Sequence, residues 1–274
     1  MTTHAPSSRS KVERSGGAFT PLDLSEIRSY WDGVATFYDG DLDGRYHVVA
    51  LPHPGLIRAW QLVLARSLGP APLRVLDVGT GTGNLALVLA ACGYDVTAVD
   101  TSQEMVVRAR NRTKAAGLDL DIRCADAGEL PFDNEVFDAV ASRLVLWSQP
   151  EPERAVTEMA RVVARGGRVV TMDGLHHVPQ CPLARLRSAT AALLMRAKGK
   201  QTGFLDRPER MAEVPLGWVT DPTAYRNTFI RAGLERVLID RLDNIHALER
   251  SSMSLRRRLW PETPLYLIEG TVPA

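Results

Sequence analysis

Apolar positions along this chain change period several times, and each change marks an element. From Leu24, Ile27, Tyr30, Trp31, Val34 and Tyr38 recur at helical steps, which predicts an amphipathic helix. A second helix is predicted from His53-Pro54, where proline suits a first turn, to Gly69-Pro70. The period then shortens. Leu73 to Val78 reads as a buried strand, Asn84 to Cys92 as a helix closed by Gly93, and Asp95 to Asp100 as a second strand. Thr101-Ser102-Gln103-Glu104 has capping-box spacing and opens a helix reaching about Ala116-Gly117. Leu120 to Cys124 and Phe137 to Leu144 read as strands three and four. Pro152 to Val163 reads as a helix, and Arg168 to Met172 as strand five after the turn Arg165-Gly166-Gly167. Such strict alternation of strand and helix predicts an α/β fold with a doubly wound parallel sheet.

The flanking segments read differently. Residues 1–20 are Ser-, Thr- and Gly-rich and too polar to repay the entropy of ordering, so a disordered tail is expected there. Residues 21–70 form an N-terminal helical segment, and 71–274 the main domain. Within that domain the alternation stops over about 175–217, where a helical stretch between prolines predicts an insertion after strand five. Thr223 to Ala232 is again helical, and Glu235 to Asp240 and Leu265 to Gly270 read as two closing strands around a polar helix.

Composition narrows the function classes. With 45% hydrophobic and 24% charged residues in 274, the chain is expected to bury a globular core. A formal net charge of +1 offers no field for a phosphate backbone or an anionic membrane, so neither nucleic acid nor membrane is expected as a partner. The run Arg256-Arg257-Arg258 reads as a solvated helix face. The three cysteines Cys92, Cys124 and Cys181 are far apart and lack ligand spacing, which predicts no bound metal and a reducing, cytoplasmic setting. No apolar run approaches the roughly 18 residues of a membrane span.

The chemistry concentrates in Asp77-Val78-Gly79-Thr80-Gly81-Thr82-Gly83-Asn84, between the first strand and the first helix. Glycines there let the backbone approach a ligand that side chains would exclude. A dinucleotide G-x-G-x-x-G starting at Gly79 requires glycine at Asn84, and no G-x-x-x-x-G-K-[ST] exists for a triphosphate.

The D-x-G-x-G-x-G run resembles motif I of the class I S-adenosylmethionine (SAM)-dependent methyltransferases, in particular the small-molecule, methyltransferase type 11-like members. Later positions agree in order: Asp100 at the tip of strand two, Asp126-Ala127 after strand three, Leu130-Pro131-Phe132 and Phe137-Asp138 leading into strand four, and Arg165-Gly166-Gly167-Arg168 before strand five. The resemblance implies a Rossmann-like, seven-stranded, mostly parallel sheet with strand seven antiparallel, covered by an N-terminal helical lid. It implies SAM as cofactor, with Asp100 on the ribose hydroxyls and Asp126 and Ala127 on the adenine. The remaining cofactor-facing positions it implies are Tyr38, Asp77, Gly79, Thr80, Gly81, Gly83, Asn84, Thr101, Met105, Arg143 and Leu144, with Arg143 suited to the methionine carboxylate. Tyr30 and Trp147 are candidates for the acceptor side, whereas Trp31 reads as packing of the lid on the core.

Methyl transfer from a sulfonium needs no protein nucleophile, and a base only where the acceptor is a hydroxyl. His176 and His177, just past strand five, are the base candidates, with His47 and His53 in reserve. The expectation is methylation at N or O of a small molecule in specialised-metabolite, antibiotic-type biosynthesis, by a monomer or homodimer. The alternatives are a quinone-ring C-methyltransferase of menaquinone or ubiquinone type and a SAM-binding module without turnover.

Overall fold

The structure, a computed structural model, describes residues 23–39, 54–175, 214–217, 219–251 and 264–274. The expected tail, all but the ends of the expected insertion, His47, His53, His176 and His177 lie outside those residues, as does the side chain of Tyr38.

Seven strands form one sheet: β1 (Arg74–Val78), β2 (Asp95–Asp100), β3 (Asp121–Cys124), β4 (Phe137–Arg143), β5 (Val163–Gly174), β6 (Glu235–Arg241) and β7 (Leu265–Thr271). Their order is β3-β2-β1-β4-β5-β7-β6. The pairs from β3 through β5 are parallel, while β7 runs antiparallel to both β5 and β6, as the resemblance implies. Seven helices accompany it among the described residues: α1 (Leu24–Asp39), α2 (Pro54–Ser67), α3 (Asn84–Ala91), α4 (Gln103–Ala115), α5 (Pro152–Val162), α6 (Thr223–Arg231) and α7 (Asp243–Ser251).

The central strands β1 and β4 are buried on both faces because helices cover both, whereas the edge strands β3 and β6 are largely exposed. Val75, Val96, Ala98, Ala139 and Met172 pack with Trp60 and Leu64 of α2, Leu85 and Leu89 of α3, and Val106 of α4. Their alternates Leu76, Val78, Val99, Val140 and Val169 pack with Val156 and Met159 of α5 and Tyr225 and Phe229 of α6. The chain leaves β1 toward β2 on one side and β4 on the other, so a crevice opens above the carboxyl end of β1.

Two of the departures from the expected boundaries have a physical reason in the structure. β5 begins at Val163, opposite Phe137, and a register shift precedes the Ala139–Arg168 pair. A Cβ on Gly167 would lie 2.6 Å from the Asp138 carbonyl, so only glycine fits that irregular turn. The cap of α4 is Ser102 and not Thr101: its hydroxyl accepts from Met105 N at 3.1 Å, so Glu104 falls one position short of the reciprocal contact.

Candidate functional site

The glycine loop leaves β1 through three residues in the left-handed region, Gly79 (φ 71), Gly81 (φ 55) and Gly83 (φ 84). Each serves a different neighbour. A Cβ on Gly79 would strike Val145 Cγ2 at 2.3 Å, so this glycine lets the segment after β4 close on the loop. Gly83 faces Ala109 and Thr113 of α4. Around Gly81 a Cβ would meet nothing within 4 Å, so its backbone borders open space. The N–H groups of Gly79 and Thr80 donate to Val99 O, and Arg112 Nη1 of α4 donates to Thr82 O at 2.8 Å and Asn84 Oδ1 at 3.0 Å, which holds the loop from outside.

Acidic groups converge beneath and beside this loop. Asp100 Oδ2 accepts from Gly81 N at 2.7 Å and Oδ1 from Ser102 N at 2.9 Å, so backbone fixes both oxygens while leaving each a further lone pair. Burial pushes its carboxyl up to about 6, against those two N–H donors, with Asp32 of α1 adding to the rise. Asp77 is wholly buried and neither of its oxygens completes a well-formed hydrogen bond. Its carboxyl is raised to about 7 by burial, tempered by the nearby Thr80 hydroxyl and Ala86 N–H and reinforced by Asp100. Half-buried Asp126, after β3, turns its Oδ1 to Gly128 N at 3.0 Å, beside buried Ala127.

The segment after β4 forms the other wall. Leu144 is an exposed leucine at φ 58; its N–H donates to Met172 O and its carbonyl accepts from Trp147 Nε1 at 2.8 Å. Asp173, buried at the end of β5, accepts from Leu146 N and Trp147 N at 3.4 Å each, and burial lifts its carboxyl to about 7. α1 lies across both walls. Val34 and Ala35 pack with Met105, Ile27 packs with Trp147 and Val214, and half-buried Tyr30 and Trp31 contribute to both groups.

Comparison with known proteins decides the family. Residues 76–171, from β1 into β5, match the family described as a methyltransferase domain. A demethylmenaquinone methyltransferase from Renibacterium salmoninarum is 34% identical over 173 residues, 63% of this chain and 67% of that protein. The chain belongs to the class I SAM-dependent methyltransferases. A phosphatidylethanolamine N-methyltransferase from Cereibacter sphaeroides is 43% identical over 120 residues, 43% of this chain and 58% of that one, so this methyltransferase spans little more than half of that relative. The crystal structure of the (4+2)-cyclase SpnF shares the fold at a TM-score of 0.62 and 20% identity, over 95% of this chain and 100% of that one. One fold therefore carries more than one reaction.

The site suits the cofactor of this family. SAM brings ribose hydroxyls and an adenine amine as donors, and the carboxyl ends of β1, β2 and β3 bring acceptors on Asp100 and half-buried Asp126 beside the open backbone at Gly81. Thr80 and Thr101 add buried hydroxyls, that of Thr80 beside the Asp77 carboxyl.

Two expected cofactor residues are engaged elsewhere. Arg143 turns its guanidinium to Glu249 of α7, with Nη2 at 3.0 Å from both carboxylate oxygens, and stands over the Trp60 ring at 5.7 Å. A carboxylate of the chain thus takes the fork expected to hold the methionine carboxylate. Asn84 Oδ1 accepts from Arg112 Nη1. Conversely, Asp32 and Arg112 belong to the site's framework through contacts with residues 70 and 30 positions away in the chain. Among the described residues no group of His, Cys, Asp and Glu could hold a metal ion, and no helix is long and apolar enough to cross a membrane.

Proposed function

We propose that this methyltransferase moves a methyl group from SAM to a nitrogen or oxygen of a small-molecule acceptor in specialised-metabolite biosynthesis, in the cytoplasm, as a monomer or homodimer. The observation that supports the reading is the aromatic contact between Trp31 of α1 and Trp147 after β4: a covered, apolar margin beside the acidic groups of the cofactor site, suited to a compact acceptor and not to a polyanion. The 43% identity to a phosphatidylethanolamine N-methyltransferase over 120 residues supports an amine among the acceptors.

SAM supplies a methyl group already activated on a sulfonium. The protein's work is to orient and to exclude water. Asp100 accepts from the ribose hydroxyls, Asp126 and the Ala127 N–H read the adenine, and Gly79, Gly81 and Gly83 let the backbone approach. Asp77, Thr80, Thr101, Met105 and Leu144 are assigned to the same site, and Tyr38 is the further cofactor contact that the family resemblance implies. Tyr30 and Trp147 border the acceptor. A neutral amine attacks first and releases its proton afterwards, whereas a phenol or alcohol draws on His176 or His177 as base.

The test is incubation with methyl-labelled SAM and a panel of amines, phenols and alcohols, read by mass spectrometry for S-adenosylhomocysteine (SAH) and a labelled product. A second reading, methylation of a quinone ring carbon, is favoured by the 34% identity to a demethylmenaquinone methyltransferase. Demethylmenaquinone belongs in the same panel, and label on ring carbon selects it. SAH binding without product from any acceptor would instead favour a SAM-binding module.

A further inference from the structure

Between α1 and the ribose side of the pocket runs one continuous set of hydrogen bonds. Asp32 Oδ1, on the half-buried face of α1, accepts from the hydroxyl of fully buried Ser102 and lies 3.4 Å from Glu104 N. Ser102 is the residue whose N–H fixes Asp100 Oδ1, and Asp100 Oδ2 in turn fixes Gly81 N. The carboxylate of α1 thus sits at the start of α4, where free N–H groups favour a negative charge. Beside this polar contact, Met105 of the same first turn packs against Val34 and Ala35.

We infer that Asp32 is a positioning residue that clasps α1 over the cofactor pocket, so that α1 docks more firmly when the cofactor orders Asp100 and Gly81. The argument is one of shared parts. Ser102 caps α4, orders Asp100 and holds Asp32, so anything that fixes Asp100 also fixes the group that α1 grips. The coupling is reciprocal: a docked α1 slows the departure of the ligand as the ligand steadies α1. This inference rests on the reading of Asp100 as the ribose contact.

The test uses the full chain and SAH, with hydrogen exchange followed separately in α1 and in the glycine loop, and the SAH off-rate measured alongside. In the wild type, SAH is expected to slow exchange in both places. In Asp32→Ala it is expected to protect the loop but not α1, and to leave roughly ten times faster. Asp32→Asn keeps an acceptor oxygen for Ser102 and is expected to recover most of the α1 protection, which a loss of folding would not do. If SAH protects α1 equally in Asp32→Ala and its off-rate is unchanged, the clasp is wrong while the cofactor site stands. If SAH protects neither segment in the wild type, the ribose reading falls and the clasp with it.

Discussion

Trp31 of α1 meets Trp147 edge to face, with ring centroids 6.0 Å apart and planes at 78°. Edge-to-face pairs are worth about 1 kcal/mol beyond the area they bury. Trp31→Ala is therefore expected to speed hydrogen exchange in α1 about fivefold while leaving exchange in β1, β4 and β5 unchanged. Equal acceleration in the central strands would mean that α1 is part of the core and not a cover.

The glycine loop separates stability from binding. Gly79→Ala combines a left-handed φ with a 2.3 Å contact to Val145 and is expected to cost at least about 2 kcal/mol in urea unfolding. Gly81→Ala has the φ but no clash, so its stability cost is about 1 kcal/mol. Because its methyl enters the space left for the ligand, SAH affinity is expected to fall more in Gly81→Ala than its stability does. Calorimetry on both variants decides the point.

Asp100 holds two backbone N–H groups and is assigned to the ribose. Asp100→Ala is expected to weaken SAH by about 2 kcal/mol or more, roughly thirtyfold in Kd, measured by titration calorimetry. Asp100→Asn, which keeps one acceptor, should fall between the two. An unchanged Kd in both would remove Asp100 from the cofactor site.

Asp173 gives a pH signature in stability. Its folded carboxyl is raised from 3.8 to about 7, so the folded state binds the proton more tightly than the unfolded chain does. Its contribution is greatest below pH 4 and is lost as the pH rises toward 7. Asp173→Asn cannot ionise and escapes that loss. The Tm of the variant relative to wild type is therefore expected to be higher at pH 8 than at pH 5. The opposite trend would mean that the N–H groups of Leu146 and Trp147 stabilise the ionised form beyond the cost of burial.

What the sequence revealed and what it hid follow one physical division. β1, α3 and β2 fall within a residue of their expected bounds because each is set by local signals: short apolar runs for the strands and a closing Gly93 for the helix. The glycine loop and its acids were legible because backbone conformation and ligand chemistry restrict residue type at fixed spacing. The partners of Arg143 and Asp32 lie 106 and 70 residues away, on elements that approach only after the sheet has formed. No local pattern announces such pairs. The misplaced cap at Thr101 has the same origin: the spacing to Glu104 pointed to Thr101, whereas Ser102 is the cap and Asp32 from α1 completes the arrangement around it.

The place of β7 bears on how the chain is made. It lies between β5 and β6, and among the described residues β6 has no other neighbour in the sheet. During synthesis β5 emerges long before β7, and until β7 arrives the apolar strand Val169–Met172 presents an unsatisfied edge and β6 has nothing to pair with. The half-sheet from β3 to β5 is thus a nascent species that must avoid self-association while it waits for its wedge. A shortened chain that ends before Leu265 is expected to stay in that vulnerable form, and to be found with chaperones or in inclusion bodies.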